Sequence, residues 1–387
     1  MKTFALSNCH YFDAHDQRHE QQAIIIRGQH IADICPMAML PTDIKRIDVG
    51  GQLITPGFID IQVNGGGGVM FNEQPTIAGI EAIRRGHWSG GTTAMLPTLI
   101  TTDHTTMHQA VSAVAQAIEQ VPGVLGIHLE GPHLNVAKRG VHAAHQVRPF
   151  DPLTQQLLQQ LPPECYLLTV APEQLAAGTI AQLVAQGIRV SAGHTAADYA
   201  QIQAALQEGL SCFTHLYNAM TPMQSRAPGV VGAALEDAHS YCGLIVDGFH
   251  LHPTVAKLAI CTKARGKMLL VTDAMAVVGS ETRQFTLYGE TIYVDHGRCA
   301  KADGTLAGSA LDMATAVRSC VNTLALSLPE ALRMASLYPA QFLGIADRYG
   351  QLAPNYRADL LLLDEQLNVQ QTWLAGELVF QASRSRV

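Results

Sequence analysis

Two histidines, a glutamate and an aspartate stand where short apolar runs end: Ile127-His128-Leu129-Glu130-Gly131-Pro132, Val190-Ser191-Ala192-Gly193-His194, Phe213-Thr214-His215 and Val271-Thr272-Asp273. Glu130, His194 and His215 make up the two-imidazole, one-carboxylate ligand set of a catalytic zinc site that keeps an open position for water. Asp273 is then left unligated. It can take a proton from metal-activated water, whose pKa falls toward ~7, and return it to a leaving amine. Each residue alone has an ordinary reading, since a strand-end histidine is more often a hydrogen-bonded side chain than a ligand. All four at the ends of separate apolar strands resist that reading, because a carboxylate buried there must be paired or ligated.

Such residues meet only if their strands open onto one space. Strand-like runs at 58–62, 92–97, 124–130, 166–171, 188–194, 211–215, 241–247 and 268–273 alternate with helical stretches such as 151–161, 196–208 and 253–264. Short, fully apolar strands alternating with helices predict a parallel sheet, and eight of them predict an α/β fold of the closed (β/α)8, TIM-like type over 53–353. In that fold the C-terminal strand ends share one mouth, where active sites are built. A doubly wound open sheet fits less well, because no G-x-G-x-x-G follows the first strand. Residues 1–52 and 354–387 hold short β-rich runs broken by glycine turns, too few at either end for a sheet, so both termini are expected to form one small β-sandwich domain. A hairpin is expected at about 284–305, where Asp295-His296-Gly297 and Asp303-Gly304 mark turns, inserted after the eighth barrel strand.

Composition narrows the function classes. The chain has 387 residues, 48% of them hydrophobic and 15% charged, which is globular and neither disordered nor fibrous. Its net charge of −7 argues against a general nucleic-acid or acidic-membrane surface, so an anionic ligand must be caught by a local cluster of donors. Eight scattered cysteines without a C-x-x-C spacing read as reduced thiols. The N-terminus turns polar too soon for a signal peptide, and no apolar stretch is long enough for a membrane span. A cytoplasmic protein is expected.

The same motifs carry a family resemblance. The segments 128–132 and 191–194, Thr214-His215-Leu216-Tyr217-Asn218-Ala219-Met220, Asp247-Gly248-Phe249-His250 and Val271-Thr272-Asp273-Ala274 resemble, in order, the motif series of the N-acetylglucosamine-6-phosphate deacetylase family of the amidohydrolase superfamily. The likeness runs over nearly the whole chain from Thr55-Pro56-Gly57-Phe58-Ile59-Asp60. It implies hydrolysis of the N-acetyl group of N-acetyl-D-glucosamine 6-phosphate to D-glucosamine 6-phosphate and acetate, in amino-sugar catabolism. It implies that Glu130, His194 and His215 hold the metal, that Asp273 handles the proton, and that His142 contacts the sugar and polarises the amide oxygen beside Val141. It also implies that Asn218, Ala219, Asp247, Gly248, Phe249 and His250 bind substrate, that Leu306, Ala307 and Gly308 line the sugar pocket, and that the protein is a homodimer or homotetramer.

Phosphate needs donors, and no G-x-x-x-x-G-K-[ST] loop supplies them. Asn218-Ala219 offers amide groups, His250 a further donor, and Arg226 a fork suited to bidentate contact; the resemblance implies that Arg226 reaches a neighbouring subunit's site. Strand one departs from many amidohydrolases, having Gln62-Val63-Asn64 where they carry His-x-His, and neutral amides are weak ligands for a transition metal. Strand four has no lysine to bridge two ions. One divalent metal ion per subunit is therefore expected, zinc before iron or cobalt. The glycine run 65–68 reads as loop shaping. Competing readings are another amidohydrolase, such as a D-aminoacylase or cyclic-amide hydrolase, and a non-catalytic barrel serving as a binding module.

Overall fold

The computed structural model describes residues 2–383. Eight parallel strands form one sheet in chain order: Phe58–Val63, Thr92–Ile100, Ile127–Glu130, Tyr166–Val170, Arg189–Ala192, Cys212–Phe213, Tyr241–Leu244 and Met268–Leu270. Phe58–Val63 and Thr92–Ile100 are buried along their whole length, as a strand covered on both faces must be. Closure comes just past the eighth strand, where Asp273 N–H donates to the Gln62 carbonyl at 3.0 Å and Asn64 N–H to that of Ala274 at 2.9 Å. The sheet is thus a TIM-like barrel.

The ladders stop earlier than the apolar runs do. The fifth, sixth and eighth strands end at Ala192, Phe213 and Leu270, short of His194, His215 and Asp273. Those three residues turn into the left-handed region, at φ of 49°, 34° and 52°. Such backbone is costly for a side-chain-bearing residue and recurs where a functional group must be aimed. Helices between the strands start at side-chain caps: Asp103 and Asp151 accept from Thr106 N–H and Thr154 N–H, and Asp198 forms a capping box with Gln201.

By contacts the chain divides into two units, 1–59 with 87–94 and 312–387, and 60–86 with 95–311. The first carries the terminal strands. Thr3–Phe12, Arg18–Arg27, His30–Pro36 and Lys45–Asp48 make one layer, while Leu53–Pro56, Leu360–Leu363, Val369–Leu374 and Glu377–Gln381 make another. The layers are joined at one paired position, His10 with Leu53, and share a core of Phe4, Leu6, Ile24, Ile26, Ile54, Leu360 and Trp373. Phe4 and Trp373 stack tilted, with ring centroids 5.1 Å apart.

The expected hairpin at 284–305 is larger than predicted. Gln284–Leu287, Glu290–Asp295, Arg298–Ala300 and Leu306–Ser309 form a four-stranded antiparallel sheet. Tyr288-Gly289 and His296-Gly297 each place two consecutive residues at positive φ, the requirement of the tight hairpin turn that matches strand twist. Gly65–Gly66 pairs with Val69–Met70 around Gly67 and Gly68, so the glycine run is a small hairpin. Among the described residues no helix is long and apolar enough to cross a membrane.

A Cβ added at Gly65 would lie 2.5 Å from the Val69 carbonyl oxygen and 2.7 Å from Ala276 N, both backbone atoms that cannot step aside. Gly65→Ala is expected to destabilise by about 1–3 kcal/mol, the range of an overpacked interior. Thermal unfolding of the variant checks this, and an unchanged melting temperature would show that the barrel rim yields there.

Candidate metal centre and substrate cavity

Glu130 ends its strand, and His194 and His215 stand in the turns just after theirs. His215 Nε2 and His194 Nε2 lie 2.9 and 3.2 Å from Glu130 Oε1 and 3.0 Å from each other. All three residues are buried. His194 Nδ1–H donates to the Lys138 carbonyl at 2.9 Å, since a carbonyl can only accept, so in the neutral ring Nε2 carries the lone pair. Lone pairs of two imidazoles and a carboxylate converging on one point fit a divalent cation, and among the described residues these three are the group that could hold one. Burial alone would raise the Glu130 carboxyl; when the two imidazoles are protonated, their Nε2–H contacts and charge override it and hold it well below its ordinary value, a balance that a bound cation would supply in their place.

Asp273 faces the same space without joining the ligand set. Its Oδ1 accepts from Asn64 Nδ2 at 2.6 Å and Gln62 Nε2 at 3.2 Å, and Gln62 Nε2 also lies 3.3 Å from each Glu130 oxygen. The strand-one amides therefore turn their N–H groups toward two carboxylates, where a second metal would need lone pairs. Burial, reinforced by the Glu130 charge, raises Asp273 to about 6. Beneath the ligands the barrel interior is polar: His128 Nε2, Thr169 Oγ1, Thr214 Oγ1 and Ser191 Oγ form a buried chain with links of 2.7, 2.7 and 2.6 Å. Burial lowers His128 to about 4, so it stays neutral.

His142 packs its ring against His194, centroids 4.3 Å apart. Its Nδ1 sits 2.8 Å from Thr101 Oγ1 and accepts from Thr101 N–H at 3.4 Å, which leaves the ring proton on Nε2. Burial, aided by the neighbouring His194, holds His142 well below its ordinary value and therefore uncharged.

Asn64, Glu130, His142, His194, His215 and Asp273 line a cavity of about 400 Å³ together with Val141, Asn218, Ala219, His250, Leu306 and Gly308. His250 is held by Asp247, whose carboxylate accepts from the His250 ring Nδ1 at 2.7 Å and from its backbone N–H. Other expected contacts lie elsewhere. Arg226 and Phe249 are exposed and outside the lining, as is Gly248; Asp247 acts behind His250; Ala307 is buried in the apolar cluster of the inserted sheet. Sequence reasoning missed Asn64 as a partner of Asp273, Thr101 behind His142, and Lys138, Met275 and Thr305 in the wall. Lys138 sits in the Lys138-Arg139-Gly140-Val141-His142 motif, but nothing in its spacing says which way the side chain turns.

A model of the amidohydrolase family matches residues 53–379, and one of the NagA composite domain matches residues 3–54. The chain belongs to the amidohydrolase family. Within that class it is 44% identical, over 87% of its length and 85% of the relative's, to N-acetylgalactosamine-6-phosphate deacetylase of Shewanella. It is 37% identical to N-acetylglucosamine-6-phosphate deacetylase of Haemophilus influenzae, over 97% of this chain and 98% of that one. Among solved structures, N-acetylglucosamine-6-phosphate deacetylase from Pasteurella multocida superposes with a TM-score of 0.93 at 36% identity, covering 97% of this chain and 99% of the other. A variant of the Mycobacterium smegmatis enzyme in complex with N-acetyl-D-glucosamine-6-phosphate superposes at 0.90 with 30% identity, over 98% and 100% of the two chains.

Metal analysis of the purified protein should find about one divalent ion per chain, and Glu130→Ala should lose it, as expected when one of three protein ligands is removed. Two tightly held ions would overturn the role of Gln62 and Asn64 as donors to the two carboxylates.

Proposed function

We propose that this amidohydrolase removes the N-acetyl group of N-acetyl-D-glucosamine 6-phosphate, giving D-glucosamine 6-phosphate and acetate. The observation that carries this reading is a buried, unligated Asp273, held by Asn64 and Gln62, in one cavity with a group that could hold a metal, the Ala219 N–H, unbonded among the described residues, and the His250 ring. An amide hydrolase needs the first two, and a phosphorylated substrate needs the other two. The Shewanella relative favours a second reading, the C4 epimer N-acetylgalactosamine 6-phosphate, which presents the same acetamide and phosphate.

Glu130, His194 and His215 would hold the ion, with zinc as the chemistry of the donor set favours. When bound, it supplies Lewis-acid polarisation and a water acidic enough to be deprotonated near neutral pH. The steps left to the chain are proton and charge handling. Asp273 takes one proton as the water oxygen bonds to the acetyl carbon, then delivers it to the amine nitrogen as the C–N bond breaks. Neutral His142 donates its Nε2–H to the amide oxygen as negative charge builds there. Gln62 and Asn64 hold Asp273 in place through their N–H groups. Val141, Leu306 and Gly308 enclose the sugar.

The exposed Arg226 is read as serving a neighbouring subunit's cavity in a homodimer or homotetramer, and the protein as working in the cytoplasm in amino-sugar catabolism.

Acetate release should be fast from N-acetylglucosamine 6-phosphate or its C4 epimer and slow from unphosphorylated N-acetylglucosamine and from an N-acetyl amino acid; preference for the amino acid would overturn the reading. Asp273→Asn should keep its metal and lose about 10²–10⁴ in kcat, the worth of a general acid–base group. Near-normal turnover would remove Asp273 from the chemistry.

A further inference from the structure

We infer that the ammonium group of Lys138 is a counter-charge, supplied from the chain's own cavity wall, that selects the phosphorylated substrate. This rests on the deacetylase reading and adds a residue to it. Among the described residues Lys138 is the one lysine or arginine that lines the cavity, and it is half-buried there. Among those residues no carboxylate lies within ion-pair distance of it, and its ammonium donates to the Met220 carbonyl, 3.1 Å from Nζ. An ammonium carries three donors, so two remain for a ligand.

Where that nitrogen sits matters as much as its charge. Met220 directly follows Asn218-Ala219, both of which line the cavity, so Lys138 places its charge at that turn; the Asn218 N–H groups are taken up by carbonyls of the turn itself. Ala219 stands at φ 53°, and its N–H meets no acceptor among the described residues. A free backbone N–H in such a turn, one residue before the carbonyl that holds the ammonium, makes a cradle for an oxyanion. His250 is a weaker source of positive charge, because Asp247 accompanies it at 2.7 Å and cancels what it would carry. With a net charge of −7 the protein's wider field offers an anion no help.

The backbone of Lys138 does separate work. Its carbonyl accepts the Nδ1–H of the ligand His194, a contact that truncating the side chain leaves intact. Charge and metal support can therefore be separated by mutation.

The test uses the full-length, metal-loaded protein with N-acetylglucosamine 6-phosphate and unphosphorylated N-acetylglucosamine. Lys138→Met is expected to lower the ratio of kcat/KM for the two substrates by about 10–100-fold, the scale of one charge-assisted hydrogen bond, mainly through a higher KM for the phosphorylated sugar. Metal content should be unchanged, and Lys138→Arg should recover most of the ratio. A ratio that survives Lys138→Met, or equal losses on both substrates, would overturn the inference while leaving the deacetylase reading standing. A wild-type protein with no preference for the phosphorylated sugar would instead overturn that reading, and the inference with it.

Discussion

Everything in the mouth of the barrel depends on how the charge of the Glu130 carboxylate, 2% exposed, is balanced. A charge that far from water survives only with compensation of opposite sign or with strong donors. On one side His194 and His215 can supply it as protonated rings or by sharing a cation with the carboxylate, and on the other the amide of Gln62 donates. Two of these partners sit at left-handed backbone positions just past their strands. Closing the barrel brings first-strand and last-strand residues within reach of one another, so fold and charge balance are a single problem.

That dependence explains which parts were legible in the sequence. Eight short apolar runs separated by helical stretches announce a barrel because a strand covered on both faces has no polar side to show. The chemistry-bearing residues stood out because each interrupts such a run at its C-terminal end. The contributions of Lys138, Thr101 and Thr305 were not legible. They lie on connecting loops, where no periodicity states which way a side chain faces; the partners of Thr101 alone are 29, 41 and 187 residues away. The inserted sheet was underestimated for a related reason: Leu306–Ser309 reads as a glycine turn until its pairing with Arg298–Ala300 makes it a strand.

The first strand shows how a small change of residue type redirects a site. Gln62 and Asn64 are neutral, yet Gln62 Nε2 spans Asp273 and Glu130 and Asn64 Nδ2 holds Asp273, donors that offset part of the repulsion between the two carboxylates. Imidazoles at these positions would offer lone pairs instead and invite a second ion. On the proposed reading this leaves Asp273 free for proton transfer, which one bound to metal through the same oxygen would not be.

The inserted sheet leaves and rejoins the barrel at almost the same spot: Met275 N–H reaches the Ser309 carbonyl, and Ser309 N–H reaches that of Asp273. A detour whose ends already touch can be lengthened, shortened or exchanged at little entropic cost and without disturbing barrel closure. Because it also contributes Thr305, Leu306 and Gly308 to the cavity, the shape of that cavity can drift over evolutionary time while the residues at the barrel mouth stay put.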